Sequence, residues 1–190
     1  MSDTGLILLN KPYGVICQFS AHDKYPSLQQ YVPVKNVYPA GRLDTDSEGL
    51  LLLTADGKLQ AKIAHPKYKL LKTYWAQVEG QPDAEKLQQL SRGVDLGDFR
   101  TQPAKVNLLD SSQSSALWPR VPPIRVRQTV PDFWLQIQIS EGKNRQVRRM
   151  CAKVGWPCLR LVRVGIGRLN VFNRQLSLGQ WQWVKQQDLF

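Results

Sequence analysis

The chain is poor in the side chains from which most metal and redox centres are built. Two histidines, His22 and His65, and three cysteines, Cys17, Cys151 and Cys158, are scattered over 190 residues. No two cysteines stand at C-x-x-C spacing, so neither a zinc site nor a dithiol redox motif has a scaffold. An odd cysteine count without pairing fits buried or bystander thiols in a reducing compartment. Long apolar runs are missing as well, the longest aliphatic stretches being residues 6–9 and 50–53. A membrane span needs about 20 apolar residues, and the N-terminus has neither the basic region nor the apolar stretch of a signal peptide. A cytoplasmic protein without membrane association is expected. No period of 20–50 residues repeats, which excludes solenoids and propellers.

What is present is ordinary in bulk and uneven in charge. The length, with 42% hydrophobic and 22% charged residues, suits one folded domain spanning residues 1–190, divided into two lobes. Lys and Arg number 26 against 15 Asp and Glu, a net +11. Residues 1–110 contribute only +1, whereas residues 141–174 set nine basic side chains against the single Glu141, a net +8. A local field of that sign attracts polyanions, of which nucleic acid is the commonest in a cell. A merely solvated cationic face is the alternative.

Hydropathy patterning predicts short elements, with strands outnumbering helices. Residues 6–10 read as a buried strand, followed by the turn Lys11-Pro12-Tyr13-Gly14 and a second strand from Val15. Residues 50–54 form an apolar run too short for a helix and are expected as a central strand. Asp56 caps a helix over residues 57–64 that Pro66 closes, and Pro82-Asp83 opens a second helix that Gly93 ends. Residues 73–79 and 133–139 alternate as half-buried strands. Residues 110–123, with four serines and three prolines, read as an irregular loop. A helix is expected from about Asn144 to Val154, then strands over residues 159–164 and 175–184. The mostly local joining of these strands predicts an α+β fold with a mixed, largely antiparallel central sheet and flanking helices.

Three segments carry candidate chemistry. Gly41-Arg42-Leu43-Asp44-Thr45-Asp46-Ser47-Glu48-Gly49 is the densest polar cluster. It fails as a calcium loop, because the twelfth position counted from Asp44 is Ala55 rather than Glu. A magnesium site on Asp44, Asp46 and Glu48 stays open, as does one working aspartate kept ionised by a neighbouring cation; a loop-bracing aspartate is the bland alternative. On a helix from Asn144, Val147, Met150, Cys151 and Val154 share an apolar arc. Arg145, Arg149 and Lys153 then face solvent as a cationic surface suited to phosphates. Arg148 falls at the border, about 100° from Val147, placed to be partly buried and to reach a cleft. Gly142 and the helix N-terminus add backbone donors that favour an anion. Tyr74 is either core or a platform on which a base stacks, worth roughly 1–3 kcal/mol.

At these residues the chain resembles the ribosomal pseudouridine synthases, in the branch typified by the small-subunit enzyme. Asn10-Lys11-Pro12-Tyr13-Gly14 is similar to that family's first motif, and residues 41–54 with the Asp56-Gly57 turn to the second, which carries the catalytic aspartate. Lys72-Thr73-Tyr74 matches the strand bearing the active-site tyrosine. Residues 141–150 match the third motif, and Leu161-x-Arg163-x-x-Ile166-Gly167 the segment after it. The matches run in order from residue 10 to about 167. The resemblance implies a pseudouridine synthase fold with a catalytic cleft between two lobes, an isomerase without cofactor or metal, and a flipped-out target uridine. It implies ribosomal RNA as partner, 23S before 16S. It assigns Asp44 as nucleophile or base, Arg148 as its ion-pair partner and Tyr74 as the stacking platform. Leu161 lines the pocket, and Arg42, Lys143, Arg145 and Arg149 contact RNA. Many members of the branch begin with a small RNA-binding domain, for which there is no room before residue 6, so the grip on RNA is expected from the catalytic domain, working as a monomer. Two other classes compete: a catalytically silent RNA-binding or ribosome-assembly protein on the same fold, and a metal-dependent phosphodiesterase.

Overall fold

The computed structural model describes residues 5–125, 127 and 129–190. In chain order the elements are β1 (Leu6–Lys11), β2 (Tyr38–Pro39), β3 (Glu48–Thr54), α1 (Gly57–Ala64), β4 (Lys72–Glu79), α2 (Ala84–Arg92), β5 (Lys105–Leu109), α3 (Ser111–Ser114), β6 (Asp132–Ile139), α4 (Gln146–Lys153), β7 (Cys158–Ile166), β8 (Leu169–Asn170) and β9 (Trp181–Val184). The chain divides into two units, Met1–Leu70 with Arg163–Phe190, and Leu71–Val162. β7 starts in the second unit and its chain continues into the first.

In the first unit β1 lies between β3 and β9, antiparallel to both, with Leu6 opposite Thr54 on one side and Val184 on the other. Every residue of β1 and β3 is buried. Both faces are covered, which is why the leucine runs do not alternate with polar residues as a half-exposed strand does. Ile7, Leu9, Leu51 and Leu53 turn the same way and pack with Val15, Leu28, Val32 and Val37. α1 packs on β3, burying Leu59 and Ile63. The Asp56 carboxylate caps that helix, accepting from the N–H groups of Lys58 (2.8 Å) and Leu59 (3.2 Å).

In the second unit β6 lies between β4 and β5, antiparallel to both; Lys72 pairs with Ile139 and Glu79 with Asp132. Leu135, Ile137 and Ile139 are buried while the residues between them are half-buried, the alternation expected for a strand with one covered face. Asp83 caps α2, and Gly93 closes it at φ 83°.

The α+β expectation holds, with differences at particular elements. Val15 starts no strand: Ile16 forms only an isolated bridge to Ser27, because the turn at residues 11–14 leads the chain out of the sheet. β5 was not expected from its pattern. Its residues are exposed or half-exposed without alternation, and it exists by pairing with β6. Residues 110–123 are not wholly irregular: Asp110 and Gln113 form a capping box that starts the short α3. Only residues 181–184 of the expected 175–184 strand pair, and α4 begins at Gln146 because Arg145 is left-handed at φ 49°.

Candidate active site

The loop over residues 41–49 is held from several sides before β3 begins. Gly14 N donates to the Thr45 carbonyl (2.8 Å), Ser47 N to the Asp44 carbonyl (3.0 Å) and Leu43 N to the Cys17 sulfur (3.4 Å). Gly41 and Gly49 both have positive φ, 80° and 103°. At Gly49 a methyl group would also overlap the Arg163 carbonyl, so only glycine lets the chain pass there. Between these hinges Asp44 and Asp46 are half-buried, Arg42 is exposed, and Ser47 and Glu48 are fully buried.

The cation beneath this loop is Lys11. Its side chain is completely buried, and Nζ donates to the carbonyls of Pro12 (2.9 Å) and Val15 (2.8 Å). Burial pulls its pKa down from 10.5 to about 8, against the opposing fields of Cys17, Glu48 and Asp46. The charges of Asp46 and Glu48 therefore act on a buried ammonium. Among the described residues no group of three His, Cys, Asp or Glu side chains is gathered to hold a metal ion. Arg163 is buried too and ties β7 to β3 through Nε to the Leu50 carbonyl (2.8 Å). Neither buried cation was assigned a role from sequence. A lysine inside the most apolar part of the chain would have been the signal, since a buried ammonium has to be compensated.

The second unit holds the remaining candidates. Tyr74 is buried in β4 opposite Ile137, and Leu161 is buried in β7. Arg148 on α4 is half-buried, as its helical position predicts, and donates to the Cys158 carbonyl at 3.1 Å. The approach to α4 is a closed network. Glu141 Oε1 accepts from Gln102 N (2.8 Å) and Gln146 Nε2 (2.6 Å), while Gln146 Oε1 accepts from Lys143 N (3.1 Å). Gln146 N donates to the Lys143 carbonyl. The donors of residues 143 and 146, expected to face an anion, thus have partners inside the protein.

Arg149 corrects the expected solvent-facing trio. It is half-buried, pairs with both oxygens of Asp98, and donates to the Leu96 carbonyl at 3.1 Å. Asp98, an exposed side chain, has its pKa lowered by the hydrogen bond from Arg149. Phe99 lies between two cations, with Lys143 Nζ 3.8 Å and the Arg149 guanidinium 5.3 Å from its ring centre. Arg145 and Lys153 remain exposed. Thus α4 gathers Lys143, Arg145, Arg148 and Arg149 around one helical start, whereas Arg42 and Asp44 belong to the other unit.

A family model described as RNA pseudouridylate synthase matches residues 5–153, a span that includes β1, the Asp44 loop, Tyr74 and α4. The chain belongs to the RNA pseudouridylate synthase family. It is 55% identical over 179 residues to a Xanthomonas campestris pv. campestris protein named ribosomal large subunit pseudouridine synthase E, covering 93% of this chain and 94% of that one. A protein of the same name from Vibrio parahaemolyticus is 49% identical, over 95% of this chain and 74% of its own. A solved pseudouridylate synthase structure superposes with a TM-score of 0.80 at 28% identity, covering 100% of this chain and 74% of that one. As a pseudouridine synthase the chain is an isomerase acting on uridine in RNA.

Proposed function

We propose that this synthase converts one uridine of large-subunit ribosomal RNA to pseudouridine. The observation that carries the substrate is the 55% identity, over nearly the full length of both chains, to a large-subunit enzyme. The C1′–N1 bond of the target breaks, the uracil turns, and C5 joins C1′; C5 gives up its proton and N1 gains one. Redox state and bond count are unchanged, so no cofactor is required. Asp44 acts as nucleophile or base, and Arg148 is its ion-pair partner, keeping the carboxylate ionised. Tyr74 stacks on the flipped uracil, whose extrusion costs a few kcal/mol, and Leu161 lines its pocket. Arg42, Lys143, Arg145 and Arg149 contact the RNA, and the chain works as a monomeric catalytic domain in the cytoplasm. The hinged loop supports the role of Asp44, since two glycines at positive φ and the buried Lys11 hold it where an ordinary capping aspartate needs no such support. A silent RNA binder is not favoured, because relatives at 49–58% identity are named as synthases.

The test is tritium release from large-subunit RNA transcribed with uridine labelled at C5. Wild-type chain is expected to release label without added metal and in the presence of a chelator, and Asp44→Asn to release none while still binding the RNA. Turnover by Asp44→Asn would remove Asp44 from the chemistry. Release from small-subunit RNA alone would overturn the substrate.

A further inference from the structure

The basic stretch at 141–174 is not the only cationic surface. Residues 57–71 contain four lysines and no acidic residue. In α1, Leu59 and Ile63 take the buried side, and Lys58 and Lys62, one turn apart, share another. Beyond α1 the His65 ring nitrogen Nδ1 accepts from Lys67 N (3.2 Å) and opens a 3-10 turn over Pro66–Tyr68, which Lys69 closes with left-handed backbone. His65, Lys67, Tyr68 and Lys69 all come out exposed. Lys67 Nζ sits 4.8 Å from the centre of the Tyr68 ring, and His65 meets the same ring edge-on at 6.5 Å. The nearest carboxylate in sequence, Asp56, is committed to capping α1. Lys62 lies over the Phe190 ring at 3.9 Å, and none of the four lysines forms an ion pair among the described residues.

Ordinary solvated faces mix both signs of charge. An acid-free lysine strip beside an exposed aromatic ring instead matches a phosphate backbone and an unpaired base. The strip also adjoins the candidate site: a Cβ on Gly41 would lie 4.0 Å from that of Ala64, so the end of α1 meets the start of the loop carrying Arg42 and Asp44. We propose that Lys58, Lys67 and Lys69 with Tyr68 form a second RNA-gripping surface, which holds substrate phosphates flanking the target uridine while Tyr68 offers its ring to an unpaired base. The inference rests on the reading of the chain as an RNA isomerase.

The test compares two triple variants of the full chain by affinity for large-subunit RNA transcripts at several salt concentrations. Lys58→Gln/Lys67→Gln/Lys69→Gln is expected to flatten the slope of log K against log salt by about 2, at roughly 0.7–0.9 for each phosphate that is no longer neutralised. It should weaken binding tenfold or more near physiological salt. The charge-matched control Lys24→Gln/Lys35→Gln/Lys185→Gln, at exposed positions elsewhere, should change the slope by less than one. Tyr68→Ala should weaken binding with the slope intact, and the triple arginine variant at positions 58, 67 and 69 should keep the wild-type slope. Equal slopes for the two glutamine triples would overturn the proposal. Tritium release by wild type on the same transcripts is a separate readout: binding without release would refute the isomerase reading, while the slopes still decide whether the surface grips RNA.

Discussion

Replacing Glu141 with alanine removes one acceptor shared by two donors at the entrance to α4. The carboxylate is buried, and Oε1 receives both Gln102 N and Gln146 Nε2. Hydrogen bonds to a charged group contribute about 1.5–3 kcal/mol each. Glu141→Ala should therefore cost about 3–5 kcal/mol, after allowing for the relieved desolvation of the carboxylate. For a chain of this length that is a fall in Tm of about 6–20 °C. Glu141→Gln keeps an oxygen for both donors and loses only the charge, so about half the loss should return. The effect on catalysis follows from Gln146, which donates to Glu141 through Nε2 while its amide oxygen accepts from Lys143 N and so fixes the left-handed turn at Arg145. Freed of Glu141, the first turn of α4 shifts, and Arg148 moves with it. A misplacement of about 1 Å can cost up to 100-fold in rate, so kcat should fall tenfold to hundredfold with KM little changed. Urea unfolding and tritium release measure the two effects. A Glu141→Ala protein within about 1 kcal/mol of wild type, or one with undiminished kcat, would refute the network as a positioning device.

Two further outcomes follow from charges that the fold has committed. Lys11 has a pKa of about 8 in the folded chain and an ordinary value of 10.5. Between those values the unfolded chain binds the proton more tightly, so this residue makes stability rise with pH from about 8 to 10.5, its full cost being present below 8. Subtracting the urea-unfolding free energy of Lys11→Met from that of wild type should isolate a rise of about 3 kcal/mol across the window, at about 1.4 kcal/mol per unit; a flat difference would show that the ammonium is not desolvated. The Asp98–Arg149 pair gives the other: Asp98→Ala should release Arg149 to phosphate and steepen the salt dependence of RNA binding by up to about 0.9, while Arg145→Ala should flatten it. An unchanged slope in Asp98→Ala would mean that Arg149 is fixed by Phe99 and Leu96 alone.

The elements legible in the sequence are those whose causes are local. The leucine runs of β1 and β3, the caps Asp56 and Asp83, and the alternation of β6 each sit within a few residues of the structure they produce. β5 was illegible because an exposed edge strand is held by its partner rather than by its own pattern. The false strand at Val15 is the converse, suitable residues with no neighbour to pair along their length.

The same division runs through the candidate site. The sequence by itself determined the family, the motifs around Asp44, Tyr74 and Arg148, and the basic character that suits RNA, because residue type and spacing carry those directly. Arg148's half-burial was also predictable, from its angle on the helix. Only the tertiary structure decided that Arg149 is engaged by Asp98, 51 residues away, that Glu141 joins two donors at the start of α4, and that Lys11 is a desolvated cation under the Asp44 loop. Each of those depends on which distant group shares a low-dielectric space with a charge, and that pairing exists only once the chain has folded.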